Sequence, residues 1–166
     1  MSGGGASAWS LREEDAQRIH AVLAGFLAEA GARTTLLVDR NGQTLATVGE
    51  PPAFDEVAFG SLTAADFSAN DQLARLLGEV EFGALFHQGE RESLYLADVA
   101  RRVILVVLFD NRTTVGLVKL RVRRAVTELT ALFEEVFRRT GPGARVEAGF
   151  LGDAEDEIDR LFGGGA

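Results

Sequence analysis

The sequence predicts an α+β fold, an α/β sandwich with a five-stranded, mostly antiparallel sheet and helices on both faces, in the order α-β-β-α-β-β-β-α. Three observations predict it. Three long segments carry apolar residues at steps of three and four, the period of a helix with one buried face. Short apolar runs separated by turn residues lie between them, so neighbouring strands join as hairpins and the sheet is antiparallel. One run, Val103 to Phe109, is apolar throughout and belongs in the middle of the sheet, covered on both faces.

Residues 1–10 are rich in Gly, Ala and Ser and read as a flexible tail. From Glu13 onward, Ala16, Ile19, Leu23, Phe26, Leu27 and Ala30 form one apolar stripe, and Gly31 supplies a C-cap. Thr35 to Val38 and Gln43 to Val48 read as strands around Asn41-Gly42, a pair suited to a type I′ turn, whose two central positions both need positive φ. A second helix is predicted from about Asp55 to Gly78, with Ala58, Leu62, Ala65, Ala69, Leu73 and Leu76 as its core stripe. Its opposite face carries Ser61, Ala64, Ser68, Gln72 and Arg75 and is small-sided in its first half. Small side chains let another surface approach the backbone; the same face could equally pack on the chain's own sheet or on a dimer mate.

Strands are predicted over Phe82–Gln88, Ser93–Val99 and Val103–Phe109, with turns at Gly89-Glu90 and Arg101-Arg102. Asp110 to Thr114 form a polar loop ending in helix-capping residues. The third helix runs to about Arg139 on a stripe of Val118, Val122, Ala125, Leu129, Leu132 and Val136, and Gly141-Pro142-Gly143 stops it. This divides the 166 residues into a flexible tail (1–10), one domain (11–140) and a flexible acidic tail (141–166) with a short amphipathic segment at 153–162.

The net charge is −8, which disfavours general binding to nucleic acid. Residues 101–139 run against that average, with 9 Lys+Arg and 4 Asp+Glu. That basic block sits mainly on the third helix, where it is a solvated face or a surface for an acidic partner, the chain's own tail included. No apolar run is long enough to insert in a membrane, and residues 1–10 lack the pattern of a secretory signal. With no cysteine, disulfides and thiolate chemistry are excluded, and the composition fits a cytoplasmic protein.

Conventional catalytic chemistry is missing as well. The one lysine, Lys119, follows no phosphate-cradling glycine loop. The two histidines, His20 and His87, have no cysteine beside them to build a metal site. Asp66 and Asp71 read as surface charge on the second helix, not as an acid/base pair. The expectation is therefore no active site, no metal and no cofactor.

Several segments, taken in order, resemble the MglB-like branch of the roadblock (dynein light-chain roadblock) family. They are Leu36-Leu37-Val38-Asp39-Arg40-Asn41-Gly42-Gln43, Leu73 to Glu79, Phe86-His87-Gln88-Gly89 with Ser93-Leu94-Tyr95, and Val106 to Thr113 with Gly116-Leu117-Val118. Phe109-Asp110-Asn111-Arg112-Thr113 is the most specific of them. The resemblance covers about residues 11–140 and implies the roadblock fold.

It also implies a homodimeric, cytoplasmic activator of a small Ras-like GTPase of the MglA type, in bacterial polarity and gliding motility. Such activators reshape the GTPase's own active site and insert no arginine. The alternative is a scaffold or polarity adaptor that binds a GTPase or another roadblock protein without activating it. The resemblance assigns GTPase docking to the second-helix face at Ser61, Ala64, Ser68, Gln72 and Arg75, and dimer contacts to that helix and to the strand with Phe82, Leu85, Phe86 and His87. Gln72 departs from the family's small residues there. In the acidic tail, Ile158, Leu161 and Phe162 stand at i, i+3 and i+4 and suit helix-in-groove docking, as similar tails in the family touch the GTPase.

Overall fold

The computed structural model describes residues 10–140. The sequence expectations for residues 1–9 and for the acidic tail, with Ile158, Leu161 and Phe162, lie outside the described residues. The predicted order holds: α1 (Glu13–Ala30), β1 (Thr34–Asp39), β2 (Thr44–Gly49), α2 (Glu56–Leu76), β3 (Ala84–Gln88), β4 (Ser93–Val99), β5 (Val103–Phe109) and α3 (Val115–Thr140). The five strands form one sheet in the order β2-β1-β5-β4-β3, and every neighbouring pair is antiparallel. The apolar run of β5 lies at the centre, as its composition requires, and β2 and β3 are the edges.

Side chains alternate along a strand, so β5 feeds two cores. Val103, Leu105, Val107 and Phe109 face α1 and α3, where they meet Ile19, Leu23 and Phe26 and the α3 stripe from Val118 to Val136. Ile104 and Val106 face α2 and join Leu36, Val38, Leu96 and Phe67 in a much smaller cluster. Among the described residues, two helices cover one face and α2 alone covers the other.

Two local expectations change. Ala16 is exposed, and the buried residue of the first α1 turn is Asp15. The type I′ reading of Asn41-Gly42 fails, because only Gly42 has positive φ, at 90°. The Asp39 carboxylate accepts from the Asn41 and Gln43 N–H groups at 2.9 Å each, and the Gly42 N–H donates to the Asp39 carbonyl. That Asx arrangement supplies the turn without a left-handed Asn. The tight turn with two positive-φ residues is Ala100-Arg101, between β4 and β5, where the Arg102 N–H donates to the Val99 carbonyl.

The segment Phe109 to Thr113 ties these layers together. The Thr113 hydroxyl donates to the Ala30 carbonyl at 2.6 Å, holding the end of α1. Arg112 bonds Asp110 at 3.0 Å and reaches Glu50 at 3.3 Å, beyond the end of β2. Arg33 meets Glu50 at 2.8 Å from the start of β1. Hydrogen bonds from Arg33 and Arg112 hold the Glu50 carboxyl below the ordinary carboxylate range, and those from Arg112 do the same for Asp110.

At the opposite end, Asp15 accepts from the Arg12 N–H at 2.9 Å and pairs with Arg139, closing α3 on α1. Burial pushes its carboxyl up, but the Arg12 N–H and the Arg139 guanidinium outweigh it, so its pKa lies below the ordinary value. A depressed carboxyl stabilises the fold above its unfolded pKa, and that contribution is lost as pH falls through the folded one. Asp15→Asn should therefore cost about 2 kcal/mol in urea unfolding at neutral pH. The deficit should shrink as pH falls below the ordinary carboxylate range and the folded-state carboxyl takes up its proton; a deficit independent of pH would remove the charge from the account.

Candidate interaction site on helix α2

Helix α2 begins at Asp55, whose carboxylate accepts from the Val57 and Ala58 N–H groups at 3.0 and 3.4 Å. It ends in a Schellman turn: Gly78 has φ 78°, its N–H donates to the Arg75 carbonyl, and the Glu79 N–H donates to the Ala74 carbonyl.

Its seating on the sheet is a backbone contact. A Cβ at Gly60 would overlap the Gly42 carbonyl, and one at Gly42 would stand 2.9 Å from the Ser61 Cα. The first hairpin and the second helix touch because both lack a side chain there. About two turns further on, Arg40 lies 4.6 Å over the Phe67 ring, bonds Asp71 at 2.9 Å and pairs with Asp98 on β4. Asn70, buried, donates its side-chain amide to the Phe82 carbonyl at 3.4 Å. Asp66 meets His87 of β3 at 2.6 Å. The surface-charge reading of Asp66 and Asp71 is therefore corrected: each carboxylate ties α2 to the sheet.

The core stripe expected on α2 is overturned. The residues buried on the sheet are Gly60, Thr63, Ala64, Phe67, Asn70 and Ala74. Ala58, Leu62, Ala65, Ala69, Leu73 and Leu76 point the other way: Leu62 is 70% exposed and Leu76 83%. Helical spacing puts the two sets on opposite sides of the cylinder. The pattern correctly marked an apolar stripe, but its own sheet does not cover it.

Of the face assigned to docking, Ser61, Ser68, Gln72 and Arg75 are exposed on the flank between these two stripes. Ala64 is not on it, since it is buried against the sheet. The strand residues also shift. Phe82 precedes β3, which starts at Ala84. Leu85 turns to the α2 side of the sheet with His87, and Phe86 to the other side, stacked on Phe109 at 6.1 Å between ring centroids. Sequence reading missed Arg40 as the bridge between α2 and the sheet; its position in a turn gave no periodic signal.

Residues 18–109 match the model of the Roadblock/LC7 domain. The chain belongs to the Roadblock/LC7 family. Within it, this domain is MglB-like: it is 43% identical to MglB of Myxococcus xanthus, with a TM-score of 0.72 over 76% of this chain and 96% of that one. It is 36% identical to the gliding protein MglB of Thermus thermophilus, with a TM-score of 0.72 over the same shares. A structure described as MglB with a tetrameric arrangement is 36% identical, with a TM-score of 0.73 over 77% of this chain and 96% of that one.

In this roadblock domain the Gly42–Gly60 contact decides how α2 sits. Gly60→Ala should cost about 1–3 kcal/mol in urea unfolding, because the methyl group must push the helix off the hairpin. Gly25→Ala is the control. It lies inside α1 with open space around its Cα, so it should gain about 0.5–1 kcal/mol from helix propensity. Equal and neutral effects would show that the close approach is not required.

Proposed function

We propose that this chain is a homodimeric GTPase-activating protein for a small Ras-like GTPase of the MglA type, acting in bacterial polarity and gliding motility from the cytoplasm. The observation that carries the reading is the outward apolar stripe of α2 beside the unpaired edge strand β3, in a chain so similar to proteins named MglB. An apolar stripe on a helix needs a cover, and an open edge strand needs a partner. A two-fold copy supplies both at once. In this reading the dimer acts by contact, through Ser61, Ser68, Gln72 and Arg75 on the flanks of α2. Among the described residues no helix is long and apolar enough to cross a membrane.

The decisive experiment is phosphate release by an MglA-type GTPase with and without this protein. Stimulated release is expected. Ser68→Arg should abolish it, because a long cation on that flank separates the two surfaces and costs about 2 kcal/mol or more. Binding without stimulation would instead establish the non-activating scaffold or adaptor.

Self-association has its own check. Light scattering at micromolar concentration should give a dimer, and Leu62→Asp with Leu76→Asp should give a folded monomer, since both side chains are exposed within one chain. A clean monomer before substitution would sink the dimer.

A further inference from the structure

Across the sheet from α2, the outer side of α3 is strongly basic in its first half. Gly116, Lys119, Leu120, Arg123, Arg124 and Thr127 are exposed and recur at steps of three and four, so they form one outward stripe. With Arg121 beside them, residues 119–124 carry four cations and no acid, in a chain whose net charge is −8. The positive end of a helix dipole is usually met by acids. Helix α1 opens on Glu13, Glu14 and Asp15 and α2 on Glu56, whereas the first turn of α3 has none, so its dipole adds to the field of the cations. Ion pairs do not consume that field. Arg121 reaches Glu29 only at 3.8 Å, Arg124 divides between Glu29 at 4.0 Å and Glu128 at 3.0 Å, and Lys119 and Arg123 have no carboxylate within ion-pair distance among the described residues.

The surface is also level, with one apolar projection. Leu120, 58% exposed, stands among the cations; of the large apolar side chains exposed among the described residues, it alone lies away from α2 and the segments flanking it. Beside it α1 is low: Ala21, Gly25 and Ala28 are exposed, and a Cβ at Gly25 would meet nothing within 4 Å. The furrow between the two helices, bordered by Gly25, Glu29, Arg121, Arg124 and Glu128, holds about 120 Å³, well below the size of a ligand pocket.

We propose that this face rests on an anionic phospholipid surface, with Lys119, Arg121, Arg123 and Arg124 against the headgroups and Leu120 dipping between them. A level basic face with one projecting aliphatic side chain matches a plane of negative charge. An acidic peptide would draw its affinity from a groove, and this furrow is too small to seat one. Glu29 and Glu128 temper the attraction on the α1 side, which leaves Lys119 and Arg123 as its centre. Pairing of two β3 edges in antiparallel fashion sets the two-fold axis perpendicular to the sheet, so both copies turn α3 to one side and α2 to the other. Two patches on one plane then hold the same surface together, more tightly than either alone, and α2 faces away from the lipid. That paired geometry rests on the dimer proposed above, while the charge on the face does not.

Sedimentation of the full chain with lipid vesicles tests this. The protein should bind phosphatidylcholine vesicles carrying about one third phosphatidylserine, ignore phosphatidylcholine alone, and be released at about 0.5 M salt, where surface charges are screened. Lys119→Glu with Arg123→Glu should weaken binding by about tenfold or more. The melting temperature should stay unchanged, since both side chains are exposed. The absence of cysteine permits a single probe. A polarity-sensitive fluorophore on Leu120→Cys should brighten on the anionic vesicles, and the same probe on Glu79→Cys, beyond the end of α2, should not. Equal binding to neutral vesicles, indifference to the two charge reversals, or brightening at Glu79 in place of Leu120 would each overturn the proposal. Binding to poly-glutamate without binding to the vesicles would replace the membrane by an acidic protein partner. Light scattering on the same sample reports the dimer separately: a monomer that binds the vesicles would overturn the paired geometry alone. Vesicle binding is measured without the GTPase, so it and the activating role can fail independently.

Discussion

The contact between Gly60 of α2 and Gly42 of the first hairpin sets the geometry of one whole face of this protein. Neither backbone could come so near the other with a side chain between them. With the helix axis held close to β1 and β2, Phe67 reaches the sheet and Arg40 can lie over its ring while binding carboxylates on α2 and β4. The partly buried guanidinium is satisfied mostly by charge, as a group in that position must be. Asn70 and Asp66 then fasten the helix towards the β3 side.

The two faces of the sheet are unequal as a result. On one face, α1 and α3 enclose a broad core, closed at each end by an ionic clasp, Asp15 with Arg139 and Arg112 with Asp110 and Glu50. The other face has one helix, whose inward residues are mostly small and whose outward stripe is aliphatic. Such a helix has two apolar sides and one sheet, so its second side is available for association. The exposed aliphatic surface of this roadblock domain therefore gathers on and beside α2, because that layer is incomplete among the described residues.

The segment Phe109 to Thr113, which carries the strongest family resemblance, stands outside that surface. Its residues bind the end of α1, the end of β2 and the neighbouring stacked ring. Several elements converge on this one turn: Phe109, Asp110, Arg112 and Thr113 each satisfy a polar group or fill a place that another element leaves open.

The sequence by itself determined the elements and their order, since hydrophobic period and turn chemistry are local properties. Val103 to Phe109 could only be a central strand, and the α3 stripe from Val118 to Val136 is buried as spaced. The family was legible too, in short motifs set in the right order. Tertiary structure alone decided what covers each stripe. On α2, periodicity marks Ala58, Leu62, Ala65, Ala69, Leu73 and Leu76 as one side of a cylinder but carries no sign saying inward or outward. The sheet took the other side, because Gly60, Ala64 and Ala74 allow close approach and Phe67 fills the gap between strands. For the same reason Ala64 left the docking face and Arg40 emerged from a turn as the bridge: distance between segments remote in sequence is a property of packing, which spacing along the chain does not encode.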